Sequence, residues 1–114
     1  LGRKVYVCSP YNAKTPEQIE VNVTLAKSVC KAIVEAGNYP VAPHLYFPQF
    51  MNEKSEAERE FGIMAGLQLM NGCDEVMACV VNTTSAQEWK RELTYAANNL
   101  GIPVIMTYIN KEKR

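Results

Sequence analysis

The sequence predicts an α/β fold, a parallel sheet of four to five strands covered on both faces by helices, three layers deep. Three observations carry this expectation. Apolar runs rich in β-branched residues alternate along the chain with segments of helical period, in the order β-α-β-α-β-α-β. The run EVMACVV from Glu75 to Val81 is apolar almost throughout and is bounded by Gly72 and the polar Asn82-Thr83-Thr84-Ser85, as befits a strand buried on both faces. Ala86, Trp89, Leu93, Ala96, Ala97 and Leu100 then recur at helical spacing, Gly101 and Pro103 stop the helix, and Val104-Ile105-Met106 opens another buried run. Strand, crossover helix and strand make a right-handed βαβ unit.

The remaining elements follow in order. Lys4-Val5-Tyr6-Val7-Cys8 is the first strand, ending in Ser9-Pro10-Tyr11-Asn12. Thr15 is an N-cap with Pro16 at the first helical position and Gln18 three residues on. Ile19, Val23, Ala26, Cys30 and Ile33 form the apolar stripe of the helix that follows, which Gly37-Asn38 closes. Tyr39-Pro40-Val41-Ala42 is a short strand whose proline assigns it to an edge or a strand start. The aromatic, proline-punctuated stretch from Pro43 to Asn52 is too apolar for a solvated loop and too broken for a helix, so it is expected to cover a pocket or meet another subunit. Ser55 caps a further helix with Glu58 at the capping-box position, and Phe61, Met64, Ala65, Leu67, Gln68 and Met70 are its expected buried side. Gly62 and Gly66 are expected to let it approach a neighbour closely. With strand order 2-1-3-4 the arrangement is doubly wound, Rossmann-like or flavodoxin-like, and ligands are expected at the carboxyl ends of the strands, between the first and third.

At 114 residues and 47% apolar composition, one domain over residues 1–114 with a modest core is expected. Twelve basic and twelve acidic residues cancel, which leaves no electrostatic footprint for nucleic acid or an anionic membrane. No apolar run is long enough to span a bilayer and no signal peptide is visible. The four cysteines form no C-x-x-C pair and the single His44 has no cysteine beside it, so reduced thiols in a cytoplasmic protein, with no metal and no cofactor, are expected.

Chemistry is expected at the carboxyl edge. Ser9, Pro10, Tyr11 and Asn12 form a loop whose amides and hydroxyls suit a phosphate or sugar, or else an ordinary turn, since no glycine-rich phosphate motif is present. Glu88 and Glu92 lie one helical turn apart with Tyr95 and Asn99 on the same face. Beside Lys90 and Arg91, the simplest account of that face is a solvated one. Asp74 starts the third strand and could simply meet solvent. His44 could act as an acid, a ligand donor or a satisfied polar residue.

Lys4-Val5-Tyr6-Val7 leading to Ser9-Pro10-Tyr11, Gly72-Cys73-Asp74-Glu75-Val76, and Glu92-Leu93-x-Tyr95-Ala96 before Gly101-Ile102-Pro103-Val104 resemble the nucleoside 2-deoxyribosyltransferase superfamily, in particular a branch of small phage and bacterial proteins. The resemblance spans nearly the whole chain and implies a nucleoside or nucleotide as small-molecule partner and a homo-oligomer, dimer or tetramer. It also implies Glu92 as a nucleophile that attacks the anomeric carbon, Tyr6 as its hydrogen-bond donor, and Asp74 near the departing base. This is retaining glycosidic chemistry, completed by hydrolysis or by transfer to another base. His44, Ser85 and Trp89 join Ser9, Pro10, Tyr11 and Asn12 as expected substrate-binding residues. Catalytic relatives carry small and apolar residues ahead of the glutamate, where this chain has Ala86-Gln87-Glu88-Trp89. Glu88 either shares the acid–base work, its pKa raised by Glu92, or fills the pocket and leaves a nucleotide-binding protein without turnover.

Overall fold

The computed structural model describes residues 2–10, 15–52, 54–80 and 89–108. Four parallel strands, β1 (Lys4–Cys8), β2 (Tyr39–Val41), β3 (Glu75–Val80) and β4 (Val104–Tyr108), form one sheet in the order β2-β1-β3-β4. Tyr6 lies opposite Val41 on one side and Val76 on the other, and Met77 opposite Ile105 on the next strand. The order reverses between β1 and β3, where a doubly wound sheet opens a crevice at its carboxyl edge.

Because successive side chains of a strand point to opposite faces, the sheet sorts its own residues into two cores. Val5, Val7 and Cys79 pack with Ile33 of helix α1 (Pro16–Glu35) on one face. Tyr6, Cys8, Val76, Ala78 and Val80 face the other way. They meet Leu67 and Met70 of helix α3 (Glu56–Met70), and Trp89 and Ala96 at the start and in the middle of the last helix. That helix begins as α4 (Lys90–Thr94) and continues over Tyr95–Leu100 with i→i+5 hydrogen bonding, an overwide turn more often found near functional sites than elsewhere. Gly101 ends it at φ 65°, a left-handed conformation that glycine adopts without a Cβ penalty.

Both expected N-caps form: the Thr15 hydroxyl accepts from the Gln18 N–H, and the Ser55 hydroxyl from the Glu58 N–H. Ser55→Ala is expected to cost about 1 kcal/mol of stability, read as a shifted urea midpoint with unchanged slope.

Two local expectations are corrected. Pro43–Asn52 is not too broken for a helix. Pro43–Tyr46 forms one helical turn, α2, and Phe47–Gln49 a tighter 3-10 turn. Pro43 and Pro48 stand at first-turn positions of these helices, where a missing N–H costs nothing. On α3 the buried side is Gly66, Leu67 and Met70, whereas Phe61, Met64 and Gln68 are exposed. The helix is so short of polar residues over Phe61–Met70 that apolar side chains fall on every face, and periodicity alone could not select one. Among the described residues no helix is long and apolar enough to cross a membrane.

Candidate active site

β1 delivers Tyr6 from the middle of the sheet into the core under α3 and α4, with no exposed surface. Glu92 lies in the first turn of α4, where the unpaired amides of a helix start favour negative charge. The two meet: the Tyr6 hydroxyl donates to Glu92 Oε2 at 2.6 Å, a buried contact between residues 86 apart in sequence. Glu92 is 7% exposed, so the solvated helix face, the simplest account of the sequence pattern, does not form around it. A carboxylate so withdrawn from water needs a charge-assisted partner, and the short distance is that of an O–H···O⁻ bond.

His44, on the single turn α2 that follows β2, places Nε2 3.8 Å from the same Oε2. Both neighbours therefore approach one oxygen of the carboxylate, and among the described residues Oε1 has no partner of its own. Ser9, just past the end of β1, is fully buried, and its hydroxyl finds no hydrogen-bond partner among the described residues. Pro10 beside it is buried too. Trp89 is fully buried in the same core cluster as Tyr6, and its indole N–H likewise lacks a partner among the described residues. Trp89 thus lies in the core wall at the helix start.

Asp74 does not join this group. Its N–H donates to the Lys4 carbonyl and its Oδ2 accepts from the Lys4 N–H, both at 2.8 Å. It is exposed at the amino edge of β1 and β3, because a residue just before a strand of a parallel sheet lies at the end opposite the crevice. The role near a departing base is therefore corrected: Asp74 ties the start of two strands together. Tyr95, expected on the face of Glu92, donates its hydroxyl to Asn71 Oδ1 at 3.1 Å instead. Tyr11, Asn12, Ser85 and Glu88 lie outside the described residues.

Gly66 belongs to the site although the sequence marked it only as a packing glycine. A Cβ built on it would stand 2.9 Å from the Tyr6 hydroxyl and 3.7 Å from Pro43 Cβ, so the bare backbone of α3 is what makes room for the Tyr6–Glu92 bond. Gly62, its expected companion, has only Phe47 Cβ at 3.9 Å, an ordinary contact. Gly66→Ala is expected to gain about 1 kcal/mol of helix propensity and to lose about 1–3 kcal/mol by overpacking. The net is a loss of between about 0 and 2 kcal/mol, and any ligand-dependent signal that needs the Tyr6–Glu92 pair should fall proportionately further than stability does.

Burial, and then the Glu92 carboxylate, hold the Tyr6 phenol far above its ordinary value of 10.0, so it remains a donor. Burial likewise raises the Cys8 thiol well above 9.0 and pushes Cys79 up to about 11. Each of these groups is neutral when protonated and has its pKa raised by folding. The stability it contributes is complete below the unfolded value and is lost as pH rises beyond it, because the unfolded chain releases the proton first. Urea midpoints are expected to hold from neutrality to about pH 8.5 and then decline steadily toward about pH 11. A flat profile over that range would contradict the burial of these three groups.

A buried carboxylate with one oxygen clamped by a phenol can serve as a nucleophile or as a general base. No group of three His, Cys, Asp or Glu among the described residues is placed to hold a metal ion.

Residues 3–107 match the model of a family described as a domain of unknown function, DUF7768. The chain belongs to that family. No curated protein matches the sequence significantly. Among solved structures it is similar to a 2-deoxyribosyltransferase from the psychrotolerant bacterium Bacillus psychrosaccharolyticus, at 22% identity and a TM-score of 0.66. The match covers 97% of this chain and 76% of that one. At that identity the similarity establishes a shared α/β fold and strand arrangement.

Proposed function

We propose that this protein binds a nucleoside or nucleotide at the carboxyl edge of its sheet and cleaves, or transfers across, the N-glycosidic bond. The observation that carries the reading is the buried Tyr6–Glu92 bond at 2.6 Å, in a fold shared with a 2-deoxyribosyltransferase. A nucleophile gains from being fixed and stripped of water, and Tyr6 and burial do both for Glu92.

In this reading a lone pair of Glu92 Oε1 forms a bond to the anomeric carbon as the bond to the base nitrogen breaks. The base leaves with that electron pair and takes a proton from Glu88 or from water. Water or a second base then displaces the glycosyl ester and restores the carboxylate. Tyr6 holds Oε2 and so aims Oε1. Ser9, Pro10, Tyr11 and Asn12, at the end of β1, hold the sugar or its phosphate. Ser85 and Trp89 frame the other side, and neither metal nor cofactor takes part.

The test incubates the protein with a panel of nucleosides and nucleotides, following released base by chromatography and binding by thermal shift. Base release supports the proposal. Stabilisation without release from any member of the panel points instead to a non-catalytic nucleotide-binding protein.

The protein is also read as a homo-oligomer, a dimer or tetramer. Tyr46, Phe47 and Phe50 stack edge to face with ring centroids 4.9–5.7 Å apart. Tyr46 and Phe50 are exposed, as are Phe61 and Met64 on α3. Contiguous exposed aromatic surface of this kind is typical of a subunit contact. Sedimentation is expected to give an oligomer that the double change Tyr46→Ser, Phe50→Ser shifts to monomer. A wild-type monomer at high concentration would remove the idea.

A further inference from the structure

The separation between His44 and Glu92 matches one bridging hydroxyl group. Nε2 and Oε2 stand 3.8 Å apart, too far for a direct hydrogen bond. An oxygen placed about 2.8 Å from each would meet them at an angle slightly under a right angle, and could accept from an Nε2–H while donating to Oε2. His44 is part-exposed on its helical turn and Glu92 is buried, so the pair stands at the edge of the interior.

We infer that a ribose 2′-hydroxyl bridges this pair, so that His44 contributes to turnover of ribonucleosides or ribonucleotides and not of their 2′-deoxy forms. The inference rests on the reading of Glu92 as a nucleophile. In a β-nucleoside the base leaves from one face of the sugar, so attack comes from the opposite face, where the 2′-hydroxyl of ribose lies on the neighbouring carbon. A carboxylate that attacks through Oε1 with Oε2 turned toward that carbon brings Oε2 beside the hydroxyl. Hydrogen bonds from the nucleophile to the sugar 2-hydroxyl strengthen as positive charge develops at the anomeric carbon. Tyr6 occupies one side of Oε2 with its own donated bond, which leaves the side facing His44 for the sugar. A 2′-deoxy sugar leaves His44 and Oε2 without that bridge. An arabinoside carries its 2′-hydroxyl on the face of the base and cannot reach it.

The experiment compares kcat/KM for base release from the ribo-, 2′-deoxyribo- and arabino-nucleosides of one base, with the wild-type chain, His44→Ala and His44→Gln. Deoxy sugars lose their base more readily to begin with, so the quantity read is the drop that each variant causes with each sugar. His44→Ala is expected to lower kcat/KM for the ribonucleoside by roughly three- to ten-fold more than for the other two, the usual value of one hydrogen bond to a neutral hydroxyl. His44→Gln, which keeps a donor on a shorter side chain, is expected to restore part of that difference. An equal loss with all three sugars, or no loss with any, overturns the inference and leaves the glycosidic reading standing. Absence of base release from every sugar overturns both. Circular dichroism of the variants separates these outcomes from misfolding, and His44 lies on a part-exposed turn where truncation leaves no deep cavity.

Discussion

Replacing Glu92 by glutamine is expected to leave the fold intact and to reduce base release by three or more orders of magnitude, on the order of 10³–10⁶-fold. The amide keeps the volume of the carboxylate and offers Tyr6 a carbonyl acceptor, so the buried hydroxyl that now donates at 2.6 Å is not orphaned. What disappears is the negative charge and the nucleophilic lone pair. The change in stability should therefore stay within about 1 kcal/mol, because a neutral hydrogen bond replaces a charged one while the burial cost of the charge is removed. Denaturant titration and base release measured on the same preparation make the comparison. Mass spectrometry of the wild-type chain quenched during turnover should also find one glycosyl unit on the peptide that contains Glu92, absent from the variant. Activity within ten-fold of wild type would end the case for Glu92 as nucleophile, and a general base elsewhere in the crevice would take its place.

Tyr6→Phe is expected to have the second-largest effect, and on both readouts. The ring stays, so the packing of β1 against Leu67, Val76 and Trp89 in the shared core is preserved. The hydroxyl is lost, and Glu92 Oε2 keeps its charge in a site only 7% exposed. Leaving a charged acceptor short of its donor costs about 1.5–3 kcal/mol. Two consequences oppose each other: an unclamped carboxylate is a stronger nucleophile, but it no longer holds Oε1 toward the sugar. Misplacement by about 1 Å can cost roughly 100-fold in rate, more than a modest gain in basicity returns, so positioning wins. We expect kcat to fall by roughly 10–100-fold with little change in KM, together with a lower urea midpoint. A fall in KM accompanied by unchanged kcat would mean that Tyr6 repels substrate, not that it aims the carboxylate. Loss of the hydroxyl should also remove part of the alkaline decline in stability, since one of the buried acids is then gone.

The sheet order and both helix caps were legible because they depend on short-range rules. Alternation of strand and helix with right-handed crossovers leaves few topologies for four strands, and 2-1-3-4 is one of them. Thr15 and Ser55 cap helices because a hydroxyl reaches only the amides two or three residues ahead, a distance written in the sequence itself. The pair at the centre of the candidate site was legible only by likeness: the sequence pattern alone placed Glu92 on a charged helix face, and the resemblance to a family motif raised the expectation of a nucleophile beside Tyr6.

Tertiary structure decided the rest. Glu92 is buried because residues 86 positions away in sequence supply its partner and its cover, which no local pattern records. Asp74, equally acidic and close in sequence to the same strand, is exposed because β3 begins where it stands and so leaves it at the amino edge. The Pro43–Tyr46 segment forms a helical turn that sets His44 3.8 Å from Glu92, a placement between residues 48 apart that no local pattern records. Sequence alone thus determined the four strands, the long helices between them and the order in which they lie. Only the folded chain determined which carboxylate loses its water and which hydroxyl faces it, since burial belongs to three dimensions and periodicity to one.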